Sequence, residues 1–143
     1  MNFVLDASVA VRWLFLDGKA AERAYALKVL AAMKQAQTAA LVPVTWGLEV
    51  ANVIARAEAK GLVREVQSEA FLEMLQAMDI GADRATFSKA LSDTLQIARR
   101  YRLSSCDASY LELAMREGLP LATLDEDLRK AAAKAGVKRF AAG

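Results

Sequence analysis

The chain begins MNFVLDASVAV (residues 1–11), and this stretch decides the fold class because it joins a short apolar run to a carboxylate. Phe3, Val4 and Leu5 form a continuous apolar run, as in strands that are buried on both faces of a parallel sheet. Asp6 follows directly and is the only charged residue in this stretch. Because an unpaired buried charge is costly, a carboxylate in this place indicates either a chemical role or a helix cap.

Short apolar runs alternate with longer stretches of helical period along the rest of the chain. The predicted strands are 2–5, 40–44, 78–81, 119–124 and 137–140, and the predicted helices are 9–16, 20–35, 46–60, 66–78, 86–101, 107–116 and 127–135. This alternation favours βαβ units with helices on both faces of a parallel sheet. We therefore expect an α/β fold, a three-layer α/β/α sandwich with a central, mostly parallel sheet. From the length we expect residues 1–143 to form a single domain.

Composition narrows the chemistry that is open to the chain. Hydrophobic residues make up 55% and charged residues 25%, with a net charge of +2, a balance typical of globular domains. There is no histidine and one cysteine, Cys106, which excludes an internal disulfide and leaves oxygen atoms to hold any metal. No apolar run approaches the roughly 18 residues of a membrane span, and the N-terminus lacks a signal-peptide pattern. We expect a cytoplasmic protein without membrane contact.

Four acidic residues differ from the others because they lie among apolar or small residues instead of beside lysine and arginine. Asp6 and Asp125 each end an apolar strand, Glu49 is the only charge in LVPVTWGLEVANVIA (residues 41–55), and Asp107 lies at a predicted helix start. In open α/β sheets, ligands bind outside the carboxyl ends of the strands. We therefore expect these four side chains to meet at one edge of the sheet.

Electrostatic repulsion determines what such a cluster requires. At separations of about 6 Å and an effective dielectric constant near 20, each pair of carboxylates repels by roughly 3 kcal/mol, and six pairs by roughly 17 kcal/mol. This exceeds the stability of a typical domain, about 5–15 kcal/mol. The cluster must take up protons or bind a cation, and Mg²⁺ or Mn²⁺ suits oxygen ligands. Taken singly, each of the three aspartates has a helix cap as its alternative interpretation, and Glu49 has a buried ion pair.

Three segments resemble the motifs of the PIN-domain nucleases, and most closely those of the VapC-type ribonuclease toxins of toxin–antitoxin systems. They are VLDASVAVRWL (residues 4–14), GLEVANVIAR (47–56) and LSSCDASYLELAMREGLPLATLDEDL (103–128). The resemblance covers essentially the whole chain. It implies a PIN-like fold and Mg²⁺- or Mn²⁺-dependent hydrolysis of RNA phosphodiester bonds by the toxin of a type II pair.

The resemblance also assigns site residues. It implies that the catalytic and metal-binding acids are Asp6, Glu49, Asp107 and Asp125, with Glu49 bound to the metal directly or through water. Asp127 matches a weaker ligand position, and Ser8, Asn52 and Thr123 match supporting positions. Phosphates approach an acidic site only where basic residues offset the repulsion. The predicted RNA contacts are Arg12, Arg56, Arg99, Arg100 and Arg102.

Partners follow from the same resemblance. It implies an RNA substrate, a small cognate antitoxin, and a homodimer that forms a heterotetramer or a larger assembly with the antitoxin. Two other interpretations stay open on sequence grounds. One is a catalytically silent PIN-like interaction module whose acidic pocket receives a basic side chain, and the other is a housekeeping nuclease that is not a toxin.

Overall fold

A computed structural model describes residues 2–15 and 17–141, and a four-stranded parallel sheet forms the centre of this part of the chain. Its strands are β1 (Asn2–Leu5), β2 (Ala39–Val42), β3 (Ile80–Ala82) and β4 (Leu121–Ala122), in the spatial order β3-β2-β1-β4. β1 pairs with both of its neighbours, since Val4 is in register with Leu41 of β2 and with Leu121 of β4.

Helices connect the strands and cover the sheet, which confirms the predicted α/β sandwich. The helices are α1 (Ala7–Ala10), α2 (Ala20–Met33), α3 (Trp46–Ala59), α4 (Glu65–Gln76), α5 (Thr86–Lys89), α6 (Leu95–Tyr101), α7 (Ser105–Glu117) and α8 (Glu126–Lys134). A 3₁₀ turn (Val11–Trp13) follows α1, and a π-helical segment (Ala90–Thr94) joins α5 to α6. No helix in the described ranges is both long and apolar enough to cross a membrane.

The core is built around β1, whose Phe3, Val4 and Leu5 are completely buried. Phe3 stacks on Phe140 with the ring centroids 3.9 Å apart. The hydroxyl of Tyr25 donates a hydrogen bond of 2.9 Å to the carbonyl oxygen of Phe140. These contacts hold the segment that follows α8 against the first strand and place β1 between apolar layers, as its continuous apolar run predicts.

The prediction of a fifth strand at 137–140 is wrong. Among the described residues this segment makes only an isolated parallel bridge, between Leu121 and Arg139. Two backbone hydrogen bonds of 2.9 Å form the bridge. The amide of Leu121 donates to the carbonyl of Lys138, and the amide of Phe140 donates to the carbonyl of Leu121. Because β4 is only two residues long, it offers no ladder on which a longer strand could pair.

The first predicted helix, 9–16, also differs from the structure. Helical backbone begins directly after β1, at Ala7, and tightens into the 3₁₀ turn at Val11. Position 16, the predicted end, lies outside the described residues. The helix predicted over 86–101 is helical throughout but widens into the π-helical segment at its centre.

A buried charge network joins the end of β3 to α7. Asp83, which follows β3, and Glu112 on α7 are 7% and 4% exposed. The guanidinium of Arg116 donates to both carboxylate oxygens of Asp83, at 3.2 and 2.7 Å, and to both of Glu112, at 2.8 and 3.1 Å. Burial by itself would raise the pKa of Asp83, but hydrogen bonds from Arg116 and Thr86 outweigh it and hold that pKa below its ordinary value.

Replacing Arg116 with Ala is expected to lower the free energy of unfolding by about 3–5 kcal/mol, because two buried carboxylates lose their shared counter-charge. Urea unfolding at about pH 7.5 measures the change. Arg129→Ala is the matched control, since Arg129 is exposed on α8, and it should change the stability by no more than about 0.5 kcal/mol. Equal losses in the two variants would contradict the interpretation of this network.

Candidate active site

Parallel pairing brings the ends of β1 and β4 together. Asp6 directly follows β1, and Thr123, Leu124 and Asp125 directly follow β4. The backbone amide of Asp6 continues the ladder by donating a hydrogen bond of 2.9 Å to the carbonyl of Ala122. The two strand-end aspartates therefore lie at the same edge of the sheet, as the sequence predicts.

Two hydroxyl groups hold the buried carboxylate of Asp6, which is 3% exposed. Ser8 Oγ donates to Asp6 Oδ2 at 2.6 Å, and Thr123 Oγ1 donates to the same oxygen at 2.7 Å. Burial raises the pKa of Asp6, the two hydroxyls offset part of that rise, and the charge of Asp125 raises the pKa again. Because both hydroxyls use Oδ2, neither of them occupies Oδ1.

The same hydroxyls also position the loop between β4 and α8. Ser8 Oγ accepts the backbone amide of Leu124 at 3.0 Å, and Thr123 Oγ1 accepts that of Asp125 at 3.0 Å. Each hydroxyl therefore donates to Asp6 and accepts from the loop that carries Asp125. Two of the three predicted supporting residues thus contact the site. The third, Asn52, is exposed on α3, and no described contact joins it to the acids.

The three aspartates differ in whether they cap a helix. Asp125 does so, because its Oδ1 accepts the amide of Leu128 at 2.9 Å at the start of α8. Asp107 does not cap α7, since the cap is Ser104, whose hydroxyl accepts the amide of Asp107 at 3.1 Å. Asp6 precedes α1, but its carboxylate makes no capping hydrogen bond there. Capping therefore accounts for Asp125 alone.

Repulsion from other carboxylates of the site acts on Asp107, in the first turn of α7. Burial, followed by the charges of Asp125 and Asp6, raises the pKa of Asp107 to about 6. The charge of Asp127 makes a smaller contribution of the same sign. Asp127 itself is exposed on the first turn of α8. It therefore lies at the rim of the site.

Tyr110 is a site residue that the sequence analysis missed. Its side chain is fully buried, and its hydroxyl donates to Glu49 Oε1 at 2.8 Å. Burial raises the pKa of the Tyr110 hydroxyl, and the charges of Asp6 and Glu49 raise it further, so the group stays a neutral donor. Its spacing of three residues from Asp107 in DASY, which puts both on one side of a helix, was the signal that could have found it.

Glu49 lies half-buried in the first turn of α3, and its partner is this tyrosine hydroxyl instead of an arginine. Burial raises the pKa of Glu49, the bond from Tyr110 lowers it, and the charges of Asp6 and Asp107 raise it again. The carboxylates thus interact electrostatically across three elements. We call Asp6, Glu49, Asp107 and Asp125 the acidic cluster.

The donor set of the acidic cluster fits a hard divalent cation, because it consists of carboxylate oxygens. Across residues 2–15 and 17–141, no three or more acidic, cysteine or histidine side chains are already grouped as a metal cage. Mg²⁺ needs no such cage, since it keeps several waters and binds through one or two carboxylates plus substrate phosphates. A cation would also offset the mutual repulsion that raises the pKa of Asp107.

Of the predicted basic contacts, Arg12 and Arg56 lie at a separate cleft of about 320 Å³ beside the 3₁₀ turn. The guanidinium of Arg12 is already engaged there, at 2.9 Å from Asp17 and 3.5 Å from Glu22. Arg56 is exposed on α3. Neither residue is brought into contact with the acidic cluster by a described hydrogen bond.

The other predicted basic contacts, Arg99, Arg100 and Arg102, are exposed at the C-terminal end of α6. Arg100 and Arg102 line a second cleft, of about 490 Å³, together with Asp127 from the rim of the acidic cluster. The structure thus places these two arginines beside the acids.

Comparisons with known proteins agree with the fold. Residues 3–134 match the family model described as the PIN domain. The chain is 30% identical over 128 residues to Ribonuclease VapC3 from Pyrobaculum aerophilum, a match that covers 90% of this chain and 92% of that protein. The crystal structure of PAE2754 from Pyrobaculum aerophilum has the same fold, with a TM-score of 0.65 at 21% identity, over 92% of this chain and 79% of that one.

The chain therefore belongs to the PIN-domain family. Its similarity to VapC3 places it among the VapC-type nucleases of that family.

Replacing Asp107 with Asn removes one charge from the acidic cluster. With a folded-state pKa of about 6 against an ordinary 3.8, ionised Asp107 destabilises the fold above pH 6 by up to about 3 kcal/mol. This cost decreases as the pH falls from about 6 to about 4, because the carboxyl is then protonated in both states. We expect Asp107→Asn to raise the free energy of unfolding in EDTA at about pH 7.5 and to leave it nearly unchanged at about pH 3.5.

Urea unfolding at the two pH values measures this difference. Asp79→Asn is the matched control, since Asp79 is exposed and lies outside the acidic cluster. It should change stability by no more than about 0.5 kcal/mol at either pH. A loss of stability in Asp107→Asn at the higher pH would mean that the carboxylate serves the helix start instead.

Replacing Tyr110 with Phe removes the donor to Glu49 and keeps the ring. We expect the free energy of unfolding to fall by about 1–3 kcal/mol at about pH 7.5, because a hydrogen bond to a carboxylate is lost. Tyr101→Phe provides the comparison, as the one described interaction of Tyr101 outside the core is the cation–π contact of its ring with Arg100. If both variants unfold at the same urea concentration as the wild type, the Tyr110 bond contributes nothing to stability.

Proposed function

We propose that this chain is a Mg²⁺- or Mn²⁺-dependent endoribonuclease and the toxin of a type II toxin–antitoxin pair. The acidic cluster is the observation that carries the proposal, because burial and neighbouring carboxylates of the cluster raise the pKa values of Asp6, Glu49 and Asp107. Similarity to a protein named Ribonuclease VapC3 supports RNA as the substrate. We further propose that residues 1–143 act as one domain.

Each member of the acidic cluster has a role in this proposal. In the proposed site Asp6, Asp107 and Asp125 would hold the cation, and Glu49 would bind it directly or through water. When bound, such an ion activates water and offsets the charge that develops on the phosphoryl group. Ser8 and Thr123 are positioning residues, because their bonds to Oδ2 fix the orientation of the Asp6 carboxylate. Asp127 is a rim residue and a weaker candidate ligand.

Glu49 and Tyr110 account for proton movement. The raised pKa of Glu49 makes its carboxylate a better proton acceptor than an ordinary glutamate. Tyr110 holds Oε1 and thereby fixes the orientation of the Glu49 carboxylate. In the proposed reaction Glu49 accepts a proton from water and the water oxygen bonds to phosphorus. The bond from phosphorus to the 3′ oxygen breaks, and the 3′ oxygen takes a proton from solvent water. The products are a 5′ phosphate and a 3′ hydroxyl.

Exposed apolar side chains support a protein partner. Leu48 on α3, Phe87 on α5 and Leu91 in the π-helical segment are 74%, 89% and 88% exposed. Phe87 and Leu91 are four positions apart in one helical stretch, and exposed apolar patches mark interaction sites. This surface is consistent with the homodimer and the small cognate antitoxin, assembled as a heterotetramer or larger, that we propose for a VapC-type toxin.

Cleavage of labelled total RNA by the purified protein, with Mg²⁺, Mn²⁺ or EDTA, tests the proposed activity. We expect cleavage with metal and none in EDTA. The double variant Asp6→Asn, Asp107→Asn, shown by circular dichroism to be folded, should lose at least about 100-fold in rate, because it removes two proposed metal ligands.

The control double variant Asp79→Asn, Asp93→Asn removes the same amount of charge at positions outside the acidic cluster. It should cleave RNA at the wild-type rate. Equal cleavage in EDTA, or by the cluster variant, would contradict the metal-dependent mechanism. Absence of Mn²⁺ binding by calorimetry would favour a catalytically silent module. Growth arrest on induction in bacteria, abolished in the cluster variant, separates a toxin from a housekeeping nuclease.

A further inference from the structure

A cleft of about 490 Å³ between the end of α6 and α8 is a second charged surface, next to the acidic cluster. Its cationic side chains are Arg100, Arg102, Lys130 and Lys134, and Asp127 lies among them. We call it the basic cleft. We propose that the basic cleft binds the phosphates of the RNA strand on one side of the cleavage point, with Lys130 and Lys134 as contacts. This inference rests on the proposed function for the identity of the polyanion.

Both walls of the basic cleft continue into the acidic cluster. On one wall, Arg102 lies just before Ser104, the cap of the helix whose first turn holds Asp107. On the other wall, Asp127 lies in the first turn of α8, whose cap is Asp125. Asp127 is also close enough to Asp107 for its charge to act there. A nucleic-acid strand seated on the acids therefore has this cleft directly beside it.

The cations of the basic cleft are accessible to phosphate. Lys130 pairs with Glu126 at 3.3 Å, and the two side chains are 67% and 66% exposed. Such an exposed pair is weak and is screened by salt, so a phosphate can displace it. Within the described ranges, Arg102 and Lys134 take part in no ion pair. By contrast, the guanidinium of Arg12 is paired with two acids.

The backbone of Arg102 is a second, independent observation. Arg102 ends α6 with φ 54° and ψ 47°, in the left-handed region. Glycine is the usual residue at such a helix end, and Gly118 fills the same place after α7 with φ 65°. A side chain costs energy in this region. An arginine at a position suited to glycine points to a use for its guanidinium, and the basic cleft supplies one.

Binding of a labelled single-stranded RNA oligonucleotide in EDTA, measured by fluorescence anisotropy over a range of KCl concentrations, tests the proposal without cleavage. For single strands, each phosphate contact contributes about 0.7 to the slope of log affinity against log salt. We expect Lys130→Gln, Lys134→Gln to reduce the slope by about 1.4 and to weaken binding about 25-fold at roughly 0.1 M salt. Lys28→Gln, Lys34→Gln removes the same charge from exposed positions on α2 and at its C-terminal cap and should leave the slope unchanged.

The variant Arg102→Gly distinguishes an effect on RNA binding from an effect on protein stability. We expect the slope of log RNA affinity against log salt to be lower by about 0.7, and RNA binding to be about 5-fold weaker at roughly 0.1 M salt. Its melting temperature should not fall, because glycine suits the left-handed backbone. Reduced binding therefore reports the lost guanidinium and not a damaged fold.

If the slope of log affinity against log salt is unchanged in both the double lysine variant and Arg102→Gly, the proposal is overturned. This holds even if the protein cleaves RNA as proposed. A loss of the same size in the α2 control, or no RNA binding by the wild type at low salt, would also overturn it. If the wild type cleaves RNA with none of the added metals, weakened RNA binding by the cleft variants would still support the basic cleft. The same result would refute the proposed nuclease activity.

Discussion

A carboxylate at the end of a central strand has to be stabilised by groups close to it, and Asp6 obtains this from the hydroxyls of Ser8 and Thr123. The rest of the site depends on these two bonds, because the same hydroxyls accept the amides of Leu124 and Asp125. The bonds from Thr123 to Asp6 and from the amide of Leu124 to Ser8 form because β1 and β4 pair in parallel and end at the same edge. The fold therefore fixes the geometry of the site through one buried oxygen atom.

Asp6 and Asp83 share one local pattern, a buried aspartate directly after a strand, but their surroundings differ. Both are buried and both follow a strand of the sheet directly. Asp83 has the bidentate guanidinium of Arg116 as a partner, which keeps its pKa low and makes it part of the structure. Asp6 has hydroxyls and neighbouring carboxylates, which leave its charge uncompensated. A buried carboxylate without a counter-ion destabilises the fold, and such groups concentrate at functional sites, which is why the acidic cluster and not Asp83 is the candidate site.

Sequence predicted the sheet and the four acids because both depend on local pattern, an apolar run followed by a carboxylate. It could not predict the partners across the fold. The ion pair of Asp83 with Arg116 spans 33 positions, and Tyr110 reads as one more core residue until its hydroxyl is placed 2.8 Å from Glu49. The extra strand at 137–140 was predicted from the short segment VKRF, whose Phe140 packs on Phe3 instead.

The bond between Thr123 and Asp6 joins residues that are 117 positions apart. Contacts of such long range form late in folding, because the intervening chain must first be ordered. During synthesis on the ribosome, Asp6 emerges early, whereas its second hydroxyl and the acids of α7 and β4 emerge near the end. A partly made chain thus has the first strand of the sheet and no assembled acidic cluster. Whatever chemistry the cluster performs is withheld until almost the whole domain has been translated.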